Sequence, residues 1–151
     1  MAFDTTEKVL DFAINEETQA VKFYKDLASK MNNQTMKQVF LDFADEEAKH
    51  KQKLEDVKAG KIAPADFTQP IPDLKIADYI IDVEPDADMS YQSALAIAMK
   101  KEKSAYALYM KLADSTANLE IKNIFKSLAH EEANHKLRFE LEYDEMIFEG
   151  N

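Results

Sequence analysis

Residues 46–50 of this chain read EEAKH, and residues 131–135 read EEANH. The two stretches lie 85 positions apart, since 131 − 46 = 85. The same shift aligns Glu17 with Glu102 and needs no gap anywhere along the chain. Self-similarity at a fixed shift indicates an internal repeat. The chain is therefore a duplicated unit, and each copy carries a glutamate followed three residues later by a histidine.

Each copy predicts a pair of long helices, because apolar residues recur at every third or fourth position. The expected helices cover about 5–31, 34–59, 89–115 and 118–148. Only two glycines occur in the whole chain, and so few turn residues favour helices over a many-stranded sheet. We expect Asp4 and Glu7 to cap the first helix and Gly60 to end the second.

The segment from about 60 to 88 differs from the rest, because it contains all four prolines. One short helix is expected in it at residues 73–81. A helix of ~27 residues is ~40 Å long, and an extended chain covers ~3.3 Å per residue, so this segment can return along the whole bundle. We predict an all-α four-helix bundle with one long crossover between helices 2 and 3. It forms a single domain, 1–151, from hairpins at about 5–59 and 89–148.

Charged side chains interrupt the apolar face of every helix near its middle. Glu47 and His50 continue the line of Phe40, Phe43 and Leu54, and the second copy repeats the pattern. Residues three apart on a helix point the same way, so each Glu-x-x-His pair can share one ligand. The inward-facing set is Glu17, Glu47, His50, Glu102, Glu132 and His135.

Burying four carboxylates together is costly unless their charge is compensated. Two divalent metal ions would balance them, and carboxylates with imidazoles but no thiolates suit iron or manganese. A single Glu-x-x-His pair is more often ordinary surface charge, and two copies can be a relic of duplication. The full set on four inward faces is typical of di-iron or di-manganese carboxylate bundles.

Two tyrosines, Tyr24 and Tyr109, lie seven residues after the glutamates of their helices and on the same face. One interpretation is a core tyrosine whose hydroxyl has a partner. The other is a hydrogen bond to a metal-bound carboxylate, or a redox-active phenol.

Glu46 and Glu131 point about 100° away from the inward glutamates, since successive helical residues differ by that angle. Either they are solvated, or each accepts the ring N–H of the histidine on the other hairpin. The pairs would then be Glu46 with His135, and Glu131 with His50. His130 has no histidine at its counterpart position, which favours an ordinary surface residue.

The formal net charge of −10 disfavours nucleic acids and anionic membranes as partners. No apolar run approaches the ~20 residues of a membrane span. The chain has no cysteine, which excludes disulfides, iron–sulfur clusters and thiol nucleophiles. The N-terminus lacks the basic and apolar segments of a signal peptide, and we expect a cytoplasmic protein.

The stretches ETQAVKFY (17–24), EAKH (47–50), EKSAYALY (102–109) and EANH (132–135) occur in this order. With them the chain resembles the ferritin-like superfamily over nearly its whole length. It is most similar to a rubrerythrin di-iron domain standing alone, and next to bacterioferritin. The resemblance implies two iron ions, with manganese or a mixed pair as alternatives. It also implies reduction of hydrogen peroxide or dioxygen in defence against oxidative stress.

The chain departs from these families at several positions. Rubrerythrins carry a cysteine-rich rubredoxin domain, so here electrons would come from a separate protein such as a rubredoxin. Rubrerythrins also have a further glutamate where this chain has Ala105, and bacterioferritin's haem methionine is replaced by Ala48 and Ala133. The chain ends soon after His135, so we expect no large storage cage.

Three functions follow as hypotheses. The leading one is a di-iron oxidoreductase with Glu47 and Glu132 as bridging ligands and the other four side chains as terminal ligands. The second is a ferroxidase or iron-binding protein without a storage cage, and the third is a metal-stabilised structural or interaction module. The expected assembly is a homodimer.

Overall fold

In a computed structural model, the described part of the chain, residues 6–61 and 90–149, forms four long helices. They are α1 (Thr6–Lys30), α2 (Gln34–Lys58), α3 (Tyr91–Ser115) and α4 (Leu119–Glu149). Each begins and ends within two residues of the limits predicted from apolar periodicity. The expected cap at Asp4 and the short helix at 73–81 lie outside the described residues.

Short polar side chains begin the helices. Asn33 caps α2, because its side chain accepts hydrogen bonds from the backbone N–H of Thr35 at 2.8 Å and of Met36 at 3.3 Å. Ser90 caps α3 in the same way, and such caps satisfy donors that the first turn leaves free. After α2 the chain turns at Gly60, whose φ of 72° is left-handed and favours glycine. The predicted end of the second helix is thereby confirmed.

Two apolar clusters, one at each end of the bundle, fix the directions of the helices. The first includes Leu10, Leu54, Leu112 and Phe125. The second includes Phe23, Phe40, Leu95 and Phe139. The first cluster therefore joins the start of α1 to the ends of α2 and α3 and to the start of α4.

Because α2 and α3 both end at the first cluster, they run parallel, whereas α1 and α2 form one antiparallel hairpin and α3 and α4 another. The end of α2 and the start of α3 therefore lie at opposite ends of the bundle. This arrangement confirms the predicted all-α four-helix bundle. None of the described helices is both long and apolar enough to cross a membrane.

Candidate metal centre

Six ionisable side chains from all four helices meet between the two apolar clusters. Helices α1 and α3 contribute one glutamate each, and α2 and α4 contribute a glutamate and a histidine each. Their exposed fractions lie between 1% and 6%. They are Glu17, Glu47, His50, Glu102, Glu132 and His135. The structure thus brings together every side chain that the sequence proposes as a ligand.

The candidate ligand atoms form two overlapping groups. Glu47 and Glu132 belong to both groups, and within each group the atoms lie within 4.8 Å of one another. His50 completes the first group with Glu17, and its Nδ1 lies 2.6 Å from Glu132 Oε1. His135 completes the second group with Glu102, whose Oε2 lies 3.5 Å from His135 Nδ1. Two adjacent cation positions with shared carboxylates fit this geometry.

Each of the six side chains has a buried atom of ligand type without a hydrogen-bond partner. These atoms are Glu17 Oε2, Glu47 Oε1, His50 Nδ1, Glu102 Oε2, Glu132 Oε1 and His135 Nδ1. A buried polar atom left unpaired costs about 1–3 kcal/mol, so proteins rarely gather several of them. Convergent oxygen and imidazole donors of this kind fit iron or manganese.

Residues 8–143 match the family model described as Rubrerythrin. The chain belongs to the rubrerythrin family. The buried carboxylate–histidine cluster of this rubrerythrin-family protein lies wholly within the matched range.

Two solved structures share the rubrerythrin-type fold of this chain. A hypothetical protein from Pyrococcus furiosus has a TM-score of 0.73 at 25% identity, with 98% of this chain and 93% of that chain covered. A candidate ferritin-like diiron-carboxylate protein from Thermotoga maritima has a TM-score of 0.69 at 23% identity, with 92% and 94% covered. The sequence finds no match among curated proteins.

Burial raises the pKa of the glutamates in this centre. For Glu47, loss of solvation and then the charge of Glu102 raise the pKa to about 8. Loss of solvation, reinforced by neighbouring carboxylates, also raises the pKa of Glu17 and Glu132 well above the usual value. Burial lowers the pKa of His50, which favours the neutral imidazole that binds metal. Cations at the centre would lower the pKa of these glutamates again, because they stabilise the carboxylates.

Both predicted tyrosines reach across to the opposite hairpin. Tyr24 on α1 donates a hydrogen bond to Glu102 Oε1 on α3, and Tyr109 on α3 donates one to Glu17 Oε1 on α1. In each glutamate the other oxygen, Oε2, stays free for a cation. Burial beside these carboxylates raises the pKa of both phenols, so both remain protonated donors.

The two outer glutamates differ from each other. Glu131 Oε2 lies 2.8 Å from Nε2 of His50, the partner that the sequence proposes for it. Glu46 Oε1 instead lies 3.6 Å from Lys49 Nζ on its own helix, and among the described residues it makes no contact with His135. Of the two roles that the sequence leaves open for Glu46, the structure does not show the pairing with His135, because a lysine one turn away attracts this carboxylate.

A cavity of about 40 Å³ lies within the centre, and four of the candidate ligands line it: Glu17, Glu47, Glu102 and Glu132. Its wall includes Ala20, Ala105 and, at the rim, Glu16 and Lys101. Burial raises the pKa of Glu16, an effect that the Lys101 charge partly offsets. The sequence reasoning did not find these two rim residues, although the repeat places them at equivalent positions, since 16 + 85 = 101.

Proposed function

We propose that this rubrerythrin-family protein is a non-haem di-iron oxidoreductase that reduces hydrogen peroxide or dioxygen. The pair of overlapping ligand groups carries the proposal, because Glu47 and Glu132 each belong to both groups. Carboxylates shared in this way suit two metal ions better than one. When bound, two Fe(II) ions would supply one electron each, and with two protons these electrons reduce hydrogen peroxide to two waters or dioxygen to hydrogen peroxide.

The protein's own side chains would hold and orient the centre. Glu47 and Glu132 would bridge the two positions, while Glu17, Glu102 and the histidines would each serve one position. The phenols of Tyr24 and Tyr109 fix the orientation of the two unshared glutamates by occupying one oxygen of each. Such outer contacts keep the remaining oxygen directed at the metal.

The size of the cavity supports a very small oxidant. A water molecule needs roughly 10–15 Å³ of such space, so about 40 Å³, which bound metal ions would share, leaves room for only a few heavy atoms. Hydrogen peroxide and dioxygen each have two.

We further propose that electrons reach the protein from a separate donor such as a rubredoxin, and that the working assembly is a homodimer. The sequence contains no cysteine, so a cysteine-ligated electron carrier cannot form within the 151 residues. The donor is tested by mixing the oxidised protein with reduced rubredoxin. The rate at which the protein is reduced again is compared with the rate in the absence of rubredoxin.

The reaction is tested on anaerobic protein loaded with Fe(II), with peroxide and dioxygen added in separate stopped-flow runs. The growth of ferric absorbance gives the rate, and gel filtration afterwards gives the iron retained. We expect rapid oxidation by peroxide with iron retained. A faster reaction with dioxygen followed by iron release would favour the ferroxidase alternative.

Matched variants link the result to the centre. Glu47→Gln removes a shared ligand, and Asp45→Asn makes the same change of carboxylate to amide on an exposed site of α2. The first variant should lose most of the bound iron and the fast phase, and the second should keep both. If Fe(II) in the unmodified protein is oxidised no faster than free Fe(II) in solution, both redox functions are excluded.

A further inference from the structure

The two copies of the repeat carry the same candidate ligands. They differ in what contacts each histidine on the side of its ring that faces away from the centre. The shift of 85 that aligns His50 with His135 also aligns Glu46 with Glu131. His50 has a carboxylate 2.8 Å from Nε2, the ring nitrogen that faces away from the centre. The equivalent carboxylate for His135 would be that of Glu46, which lies against Lys49 instead.

The difference has a local cause in the sequence. The residue three positions after the outer glutamate is Lys49 in the first copy and Asn134 in the second. A lysine one turn along attracts the carboxylate of Glu46, whereas Asn134 carries no charge and leaves Glu131 available. The neighbours of the rings also differ, because Phe43 meets the edge of the His135 ring at 4.8 Å between centroids. The position of the second copy that is equivalent to Phe43 holds Leu128, which has no aromatic ring.

A carboxylate behind a histidine strengthens metal binding by the opposite nitrogen. It fixes the tautomer and orientation of the ring and makes the ligating nitrogen more basic, and its removal typically costs roughly 10–100-fold in metal affinity. Glu131 Oε2 is close to Nε2 but lies off the direction of an ideal hydrogen bond, since Nε2 has no aligned partner. The Glu131 side chain is 49% exposed, so it has room to rotate into line.

We propose that the two metal positions are inequivalent, and that the position formed with Glu17 and His50 binds a divalent metal ion more tightly than the position formed with Glu102 and His135. This inference rests on the proposed di-metal centre. Its source is the difference between Lys49 in the first copy of the repeat and Asn134 in the second, which decides whether a carboxylate supports the histidine.

The test is an anaerobic calorimetric titration of metal-free protein with Co(II), with the visible Co(II) spectrum as a second record. The unmodified protein should bind in two steps whose dissociation constants differ about tenfold or more. Glu131→Gln should weaken the tighter step by about tenfold. Glu46→Gln is the matched control at the equivalent position and should change neither step.

A reciprocal exchange tests the cause. Asn134→Lys should draw Glu131 away from His50 and weaken the tighter step. Lys49→Asn should release Glu46 toward His135 and strengthen the weaker step, so that the two constants approach each other. In crystals soaked with one equivalent of Co(II), anomalous scattering should be concentrated at the position beside His50.

The possible results separate this inference from the function on which it rests. Two Co(II) ions bound with equal affinity, or equal effects of Glu46→Gln and Glu131→Gln, would overturn the inequivalence while the di-metal centre stands. Failure to bind Co(II) at all would overturn both. Two separated steps, of which Glu131→Gln weakens the tighter one and Glu46→Gln changes neither, without any peroxide or dioxygen reaction, would support the inequivalence and contradict only the proposed reaction.

Discussion

Glu47 is a carboxylic acid that the fold surrounds with other carboxylic acids. Its exposed fraction is 1%, and its pKa is raised to about 8 by burial and by the charge of Glu102. In metal-free protein at neutral pH this group therefore holds a proton. A metal ion must displace that proton, so metal affinity should rise with pH over the same range.

The stability of metal-free protein should depend on pH through Glu47. Because the pKa rises on folding, from 4.5 to about 8, the group favours folding fully below pH 4.5 and loses this contribution as pH rises through about 8. Each unit of pKa shift corresponds to about 1.4 kcal/mol. Relative to Glu47→Gln, which does not titrate, the unfolding free energy of unmodified protein should fall by a few kcal/mol across this window.

Urea unfolding of the unmodified protein and of Glu47→Gln, both metal-free, measures this difference at pH values from 4.5 to about 8. Asp45→Asn on the same helix serves as the control, because its side chain is exposed. A difference between the unmodified protein and Glu47→Gln that does not change with pH would contradict the raised pKa.

The two buried phenols make a second prediction at the residue scale. Tyr24→Phe or Tyr109→Phe leaves a glutamate Oε1 without its donor, and a buried acceptor without a partner costs about 1–3 kcal/mol. We expect each variant to lower the melting temperature of the metal-loaded protein by several degrees. Tyr106→Phe, at a side chain that is 37% exposed, should have little effect, and an equal effect of all three would argue against the hydrogen bonds.

At the scale of helices, α1 and α3 each place a small side chain against the cavity at the centre. Ala20 and Ala105 occupy equivalent positions of the repeat, since 20 + 85 = 105, and both border the cavity. The absence of larger side chains there leaves room for the small oxidant that we propose.

Ala105→Leu should close this route. The added carbon atoms fill much of the cavity of about 40 Å³, so the rate of oxidation by peroxide should fall at least severalfold while two iron ions per chain are still bound. Ala107→Leu places the same side chain on an exposed site of α3 and is the control. Equal rates in both variants would mean that the oxidant enters elsewhere.

At the scale of the whole molecule, the centre holds the two hairpins together. The ligands come from all four helices, and both tyrosine hydrogen bonds join α1 to α3. Metal-free protein must instead keep at least one oxygen or ring nitrogen of each of these side chains buried without a hydrogen-bond partner. Metal ions at this centre would therefore stabilise the folded bundle, because ligands drawn from separate helices do not form a site in the unfolded chain.

Removal of the metal should lower the melting temperature by roughly 10 °C. A ligand at about 1,000 times its dissociation constant adds about 4 kcal/mol, and each kcal/mol moves the midpoint by about 2–4 °C at this chain length. Calorimetry before and after chelation, and again after Fe(II) is restored, measures the shift. A midpoint unchanged by chelation would contradict a structural contribution from metal.

Much of the fold was predictable because its signals are periodic. The apolar spacing of the helices placed their limits within two residues, and the repeat identified equivalent positions in both copies. The six inward ligands followed from the same periodicity, because each interrupts an apolar face. The role of Glu46 stayed open between solvation and pairing with His135 for a physical reason, since exposed carboxylates choose among several partners of similar energy.

The sequence by itself determined the helices, the duplication and the identity of the buried acids and imidazoles, because helical periodicity fixes which side chains share a face. Only the tertiary structure decided that Glu47 and Glu132 belong to both ligand groups and that each tyrosine serves the opposite hairpin. It also decided that Glu131 alone of the two outer glutamates contacts a histidine. These features depend on distances between helices that are remote in the chain, and local periodicity carries no information about such distances.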